Sequence, residues 1–337
     1  MHVIETTIQG NLLIALAVLL VAFLVLAKGA NLFVDSAVAL ADRSGIPRLL
    51  IGIVLVSLAT TAPELAVSMM SAARGNPEMA LGNAIGSVIC DDGLALGLAG
   101  VLAAKPVLVI PAVLKTSGLF LLGIQIVLFF LLFFDRTLGR MEGGVLVLLF
   151  AGYVTLLYRM HRSGKLTGDP VPEAELEKGK HAPLRRLVFL FLAGIAGIVV
   201  ASEFIVGSAQ ALARGFGISE AIIGLTIIAF GTSIPEVATC VTAVRKNQGD
   251  IAIGNIIGAD ILNICWVAGA SALVNDLVLS RRELSFMLPS MFIMVGAMLL
   301  LLRHRYRLTR IKGVVLLGLY VAYLAASFLF FPPQLPG

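Results

Sequence analysis

Two short acidic motifs inside apolar segments are the residues of this sequence best placed to do chemistry. They read T-T-A-P-E at 60–64 and T-S-I-P-E at 232–236. Each is followed by a second motif, G-N-A-I-G-S-V-I-C-D at 82–91 and G-N-I-I-G-A-D-I-L-N at 254–263. A carboxylate within an apolar, membrane-length segment is costly unless it faces a cavity, a partner or a cation. The motifs therefore indicate a polar site inside the apolar part of the molecule.

The motifs belong to an internal repeat. An offset of 172 residues superposes them, and the register holds without a gap from about residue 36 to about residue 99, with roughly a third of positions identical. The repeated polar groups are carboxylates, an amide, hydroxyls and backbone carbonyls, which are hard oxygen ligands suited to calcium and sodium rather than zinc or copper. The alternative, that the prolines only kink helices and the polar groups only join them, accounts less well for two copies in register.

Local geometry brings these groups together. Pro63 and Pro235 each remove a backbone donor, so carbonyl oxygens in the preceding turn can face a cavity. Hydroxyl groups stand two and three residues before both prolines, on Thr60, Thr61, Thr232 and Ser233. Ser87 and Asp91 are four residues apart and share one helix face, as do Ala259 and Asn263 in the second copy.

The composition predicts an all-α polytopic membrane protein. The 337 residues are 59% hydrophobic and 13% charged, and the mean hydropathy is +1.00. A soluble domain has about 25% charged residues. The apolar runs are too long for barrel strands, so the predicted spans are helices.

The pattern predicts ten spans in two halves of five. The halves are 1–160 and 185–337, joined by a polar linker at 161–184 that we interpret as a connector. Because five is odd, the second half enters the membrane in the opposite orientation, which makes an inverted-topology repeat. The predicted spans are 11–41, 49–73, 79–103, 108–134, 143–160, 185–213, 220–244, 250–274, 284–302 and 311–331.

The basic residues predict the orientation. Loops on one side of the ten-span arrangement hold 18 of the 25 Lys and Arg residues, and loops on the other side hold 6. The positive-inside rule therefore places the linker in the cytoplasm and both termini outside, in the cell membrane. Because the charge lies in loops between spans, the net charge of +5 does not indicate a nucleic-acid partner.

Other metal and cofactor chemistry has little support. Cys90, Cys240 and Cys265 lie in apolar segments without zinc-type spacing and are predicted to be small buried residues. All four histidines fall in loops or tails. Nucleophile–base pairs and phosphate loops are also missing from the sequence, so we expect neither an enzyme nor a bound cofactor.

The doubled motif resembles the two alpha repeats of the sodium/calcium exchanger family, within the cation/calcium antiporter superfamily. The resemblance covers the segments 57–99 and 229–271 and the whole ten-span plan. It implies that helices 2 and 7 are broken and form a central site where sodium and calcium compete. It also implies that the long first and sixth helices slide across the core to alternate access.

The resemblance also implies roles for individual residues. Glu64 and Glu236 correspond to the paired calcium-binding carboxylates, and the backbone carbonyls of Ser57 and Ala229 are weaker candidates. The remaining implied ligands for the transported ions are Thr60, Thr61, Ser87, Asp91, Thr232, Ser233 and Asn263.

The chain departs from the family pattern in three ways. Asp91 and Asn263 are exchanged between the repeats, Ala259 stands where a serine is expected, and Ala59 replaces a glycine. Val88 and Asp260 also differ from the usual residue after Gly-Ser. These departures affect the coupling ion and the stoichiometry more than the calcium site.

Five further charged groups in the spans are left with open roles. Lys28 can extend towards the cytoplasmic edge, and Asp35 can pair with it. Lys28, Asp35 and Glu203 lie on the two presumed gating helices, while Asp92 and Asp260 adjoin the site, as ion ligands or as helix–helix hydrogen-bond partners.

These features together predict a secondary antiporter that exchanges Ca²⁺ for Na⁺ and functions as a monomer. Calcium and sodium are its substrates, and no cofactor is expected. A proton/calcium exchanger, in which the carboxylates take up protons, is the main alternative, and an ion channel is a third possibility. The inverted repeat favours a carrier over a channel.

Overall fold

The computed structural model describes residues 12–44, 46, 48–75, 77–133, 136–163, 183–215 and 229–330. The structure is mainly helical in these ranges. Twelve helices are labelled in chain order: α1 Leu12–Ser44, α2 Arg48–Thr60, α3 Ala62–Ala73, α4 Pro77–Leu102, α5 Pro111–Phe133, α6 Arg140–Arg162, α7 Leu184–Gly215, α8 Ala229–Thr232, α9 Ile234–Arg245, α10 Gly249–Val274, α11 Arg281–Arg303 and α12 Arg310–Phe330.

Eight helices in the described ranges are long and apolar enough to cross a membrane, namely α1, α4, α5, α6, α7, α10, α11 and α12. Their bounds lie within three residues of eight predicted spans. If the bent pair α2 and α3 counts as one span, the described ranges hold nine candidate spans. The predicted span 220–244 begins outside the described ranges. Most of the predicted linker 161–184 also lies outside them.

Helices α2 and α3 meet at Thr61 with a bend of 44°. Thr61 has φ −81° and ψ 1°, so the chain leaves the regular helix at this residue. Ser233, between α8 and α9, has almost the same backbone angles, φ −87° and ψ 4°. Pro63 and Pro235 are the second residues of α3 and α9, where a missing N–H costs a helix least.

Helices α4 and α10 are the most deeply placed of the candidate spans. In their most apolar windows, 72% and 94% of residues are buried, against 39% or less in the other six. Each contains a wide π-helical turn, Asp91–Ala95 in α4 and Asn263–Val267 in α10. Such turns shift the side chains that follow them and often mark functional sites.

Four two-residue strands join loops at the helix ends, a feature absent from the all-α prediction. Strand β1 (Val107–Leu108) pairs antiparallel with β4 (Arg307–Leu308), and β2 (Thr137–Leu138) pairs with β3 (Leu277–Val278). The two ladders are equivalent in the repeat, because β1 and β3 follow the third and eighth predicted spans and β2 and β4 follow the fourth and ninth.

Glycines allow the halves to approach closely at two equivalent places. A Cβ on Gly313 would lie 2.6 Å from the Gly97 carbonyl oxygen, and one on Gly143 would lie 2.6 Å from the Gly269 carbonyl oxygen. Larger residues would therefore separate α4 from α12 and α10 from α6. The long helices α1 and α7 pack along one another, with the rings of Phe33 and Phe191 4.6 Å apart.

Candidate cation-binding site

The two acidic motifs place their glutamates at equivalent, fully enclosed positions. Glu64 is the third residue of α3 and Glu236 is the third residue of α9, and the two are 0% and 1% exposed. Because Pro63 and Pro235 have no N–H, the carbonyls of Ala59 and Gly231 lack their usual helical donors. Each glutamate therefore directly follows a proline that removes one helical donor from the preceding turn.

Hydrogen bonds between the repeats surround these helix breaks. Thr60 Oγ1 donates to Asn255 Oδ1, and Thr232 Oγ1 donates to Asn83 Oδ1. The oxygen–oxygen distance is 3.2 Å in both bonds. The two bonds are equivalent under the 172-residue offset. Each acidic motif is thus fastened to the Gly-Asn motif of the opposite repeat.

The middle of the site joins α4 to α10. Asn263 Nδ2 lies 3.4 Å from Asp91 Oδ2, a long hydrogen bond between positions that correspond in the repeat. Thr61 Oγ1 donates to Glu236 Oε1 at a distance of 3.2 Å. Asp91 and Asn263 also begin the two π-helical turns. The structure therefore brings carboxylates of both repeats into one network.

Several buried oxygens of this network have no donor within the part of the chain that the structure describes. They are both carboxylate oxygens of Glu64, together with Glu236 Oε2, Asp91 Oδ1, Asn263 Oδ1, Ser87 Oγ and Ser233 Oγ. Burying ionised carboxylates without partners is unfavourable by many kcal/mol unless a cation or a proton compensates them. As possible metal ligands, these groups are all oxygens and mostly carboxylates, which fits calcium or sodium.

The nine predicted site residues share one region. Thr60, Thr61, Glu64, Ser87, Asp91, Ser233, Glu236 and Asn263 are buried, and Thr232 is partly buried. Within the described ranges, no three His, Cys, Asp or Glu side chains are close enough together to hold a metal ion. Amide and hydroxyl groups lie among the carboxylates, so a cation here would take mixed ligands.

The Ser57 carbonyl, a weaker candidate ligand, already accepts a backbone hydrogen bond. It accepts the Thr61 N–H at 2.8 Å and lies 3.3 Å from Thr60 Oγ1. A carbonyl has two lone pairs, and the Thr60 proton is shared between this oxygen and Asn255 Oδ1, so one lone pair remains for that proton or for a cation.

Two further aspartates lie beside the site. Asp92 and Asp260 are both fully buried, and their carboxyl groups interact with one another. Asp92 lies on α4 and Asp260 on α10, so the pair joins two helices. None of their four carboxylate oxygens has a hydrogen-bond partner in the described part of the chain, so the helix–helix hydrogen-bond role is not borne out and both roles stay predictions.

The suggested pairing of Lys28 with Asp35 is wrong. Asp35 instead forms an ion pair with Lys246, 2.6 Å away in the loop after α9. Residues seven apart on a helix are about 10 Å apart along its axis, and this loop lies closer to Asp35. Lys28 is exposed, and the side chain of Glu203 lies outside the described part of the chain.

The three cysteines are free and buried, as predicted. Sequence reasoning missed the roles of Asn83 and Asn255, although both stand at matching positions of the repeat. The Gly-Asn pair that recurs at 82–83 and 254–255 is the signal from which these roles could have been found.

The comparison with known protein families decides the identity. The model of the family described as sodium/calcium exchanger protein matches residues 14–159 and 186–329. The chain belongs to the sodium/calcium exchanger family. It is accordingly a multi-pass membrane antiporter of that family, with calcium and sodium as the ions its family name implies.

Curated relatives of this exchanger match along almost their whole length. The inner membrane protein YrbG of Escherichia coli is 36% identical over 321 residues, covering 93% of this chain and 97% of the relative. The sodium/calcium exchanger MaX1 of Methanosarcina acetivorans is 30% identical over 351 residues, covering 92% and 97%.

Solved structures of the sodium-calcium exchanger NCX_Mj have the same fold as this exchanger. One of them, soaked with 2.5 mM Na⁺ and 0.1 mM Ca²⁺, matches with a TM-score of 0.76 at 25% identity, covering 93% of this chain and 98% of that chain. The likeness therefore extends over both repeats.

Proposed function

We propose that this exchanger is a secondary antiporter that exchanges Ca²⁺ for Na⁺ by alternating access at the central site. The observation that carries this proposal is the network of buried, oxygen-only ligands shared by the two repeats. Glu64, Glu236 and Asp91 supply the negative charge, and Thr60, Thr61, Ser87, Thr232, Ser233 and Asn263 supply neutral oxygens.

Competition between the ions follows from charge. One divalent ion or several sodium ions neutralise the same carboxylates, so occupancy by one species disfavours the other. A site with uncompensated carboxylates resists passage through a low-dielectric gate. Exchange then proceeds with little leak, because only a loaded site crosses.

The proposed architecture has ten spans in two inverted repeats, 1–160 and 185–337. The helices of the second and seventh spans, 49–73 and 220–244, are broken. The bend between α2 and α3 supports the first break. The similar backbone angles of Thr61 and Ser233 support an equivalent second break. Equivalent β-ladders and equivalent hydrogen bonds between repeats support the pseudo-twofold relation.

The proposed orientation places the linker 161–184 in the cytoplasm and both termini outside, in the cell membrane. Contacts between loops support the sorting of loops into two faces. The β1–β4 ladder and the hydrogen bond from Arg48 to Gln248 each join two loops of the Lys/Arg-rich face. The β2–β3 ladder and the bond from Asn275 to the Ala72 carbonyl join parts of the opposite face.

Calcium uptake into proteoliposomes tests the function and the coupling ion. Purified protein is reconstituted, and uptake is measured with an outward Na⁺ gradient or an outward H⁺ gradient, with Glu236→Gln as the control. We expect uptake with the Na⁺ gradient only, and its loss in the variant. Uptake driven only by protons would show a proton/calcium exchanger, and large unitary currents in planar bilayers would show a channel.

A further inference from the structure

The two asparagines that hold the threonine hydroxyls are supported differently in the two repeats. Asn83 accepts the hydrogen bond from Thr232, and Asn255 accepts the one from Thr60. Neither asparagine belongs to the proposed ligand set. Both stand on the helices α4 and α10 that carry Asp91 and Asn263.

These bonds fix how each threonine can meet a cation. A hydroxyl has one proton and two lone pairs. When the proton points at an asparagine oxygen, only lone pairs remain for other directions, and the group becomes a ligand for a cation. Thr60 Oγ1 also lies 3.3 Å from the Ser57 carbonyl, so its proton faces a protein acceptor in either case.

Asn83 is itself firmly held. Its Nδ2 donates to Ser68 Oγ at a distance of 3.0 Å and lies 3.4 Å from the Glu64 carbonyl oxygen. Ser68 Oγ in turn lies 3.1 Å from the Ala80 carbonyl. The amide thus links the break after Thr232 to α3 and α4 of the first repeat.

Asn255 has no equivalent support. The position that matches Ser68 is occupied by Cys240, whose Sγ lies 4.0 Å from the Ala252 carbonyl. Sulfur is a weak acceptor, and Asn255 Nδ2 is buried without an acceptor in the described part of the chain. The orientation of Asn255 is therefore fixed by fewer contacts than that of Asn83.

We propose that Asn83 and Asn255 are positioning residues of the cation site, and that Cys240 leaves Asn255, the acceptor for Thr60, less firmly held than Asn83, the acceptor for Thr232. This inference rests on the proposed function, because the threonines are taken as ligands of the transported ions. Its consequence is that the two halves of the site contribute unequally to cation affinity, although a threonine and its asparagine acceptor recur at matching positions in both.

The most specific test is a gain of function. Cys240→Ser gives Asn255 Nδ2 an acceptor, as Ser68 does for Asn83. Because one hydrogen bond changes an equilibrium by about 2- to 10-fold, the Ca²⁺ KM of Na⁺-driven uptake should fall by about that factor, with little change in maximal rate. Cys265→Ser is the matched control, a buried cysteine that is replaced away from Asn255, and it should not lower the KM.

A double-mutant cycle tests whether Asn255 acts through Thr60. Asn255→Ala should raise the Ca²⁺ KM about tenfold in the wild type and much less in the Thr60→Val background, where the hydroxyl is already missing. The same cycle with Asn83→Ala and Thr232→Val should show a larger coupling. The unfolding temperature in detergent is measured for every variant, since a merely structural role would change stability without this coupling.

Two results would overturn the inference while leaving the proposed function intact. One is a Cys240→Ser variant that exchanges like the wild type, with the same Ca²⁺ KM. The other is that the effects of the asparagine and threonine substitutions on the KM are additive in both cycles. If the wild type shows no Na⁺-driven uptake, the proposed function itself has failed.

Discussion

The two repeats supply the same backbone framework but different ligands. Both place a glutamate three residues into a helix that follows a break, and both begin a π-helical turn four residues after Ser87 or Ala259. Three of the matched positions at which their side chains differ bear on the polar groups of the site: Ser68 and Cys240, Ser87 and Ala259, and Asp91 and Asn263. The framework therefore requires symmetry, whereas the ligand set tolerates asymmetry.

The exchange of aspartate and asparagine teaches the most. Asp91 and Asn263 contact each other across the equivalent helices. At such a position, exchanging the two residues between repeats preserves both the charge and the hydrogen bond. This explains physically how the chain can depart from the family pattern without losing a carboxylate.

Asp91→Asn should therefore have the largest effect among changes at the asymmetric positions. The variant removes one of three carboxylates, and we expect the Ca²⁺ affinity to fall by about 100-fold or more, since loss of a group that only supports a ligand already costs about 10- to 100-fold. Adding Asn263→Asp should restore affinity to within a few-fold of the wild type. Isothermal titration with Ca²⁺ measures both. An affinity in the double variant as low as in Asp91→Asn would show that the two positions are not interchangeable.

Ser68→Ala and Cys240→Ala should differ in stability. The first leaves Asn83 Nδ2 with one long hydrogen bond, to the Glu64 carbonyl, and the Ala80 carbonyl without its hydroxyl donor, so the free energy of unfolding should fall by about 1–3 kcal/mol. Cys240 makes only a weak contact of 4.0 Å, so its loss should cost less. Thermal unfolding in detergent compares the two. A larger loss for Cys240→Ala would contradict the unequal support of the two asparagines.

The smallest effect is expected at the third asymmetric position. Ala259→Ser adds a hydroxyl where the first repeat has Ser87, and should raise apparent Na⁺ affinity by a few-fold because sodium gains a neutral oxygen ligand. Ser87→Ala should lower it by a similar factor. The Na⁺ dependence of Ca²⁺ release from loaded proteoliposomes provides the measurement. If neither variant changes that dependence, these positions lie outside the sodium sites.

Much of the fold could be predicted from the sequence because membrane spans are set by apolar length. Eight predicted spans agree with helices to within three residues. The π-helical turns and the four short strands could not be predicted, since they depend on packing between distant parts of the chain. The strands join loops about 140 to 200 residues apart.

The site could be predicted in its residue types but not in its contacts. Repetition singled out Glu64 and Glu236, and the structure encloses both. The bond from Thr61 to Glu236 and those to Asn83 and Asn255 cross between repeats, so no local pattern reveals them. Asp35 was paired with the wrong lysine for the same reason.

The most direct test of the account is competitive binding at the two glutamates. ⁴⁵Ca²⁺ binding to purified protein is measured over a range of Na⁺ concentrations, for the wild type, Glu64→Gln and Glu236→Gln. We predict that Na⁺ displaces Ca²⁺ from the wild type and that each variant loses at least about 100-fold in Ca²⁺ affinity. Calcium binding that survives in either variant at full strength, or that Na⁺ does not displace, would contradict a shared site built on the two carboxylates.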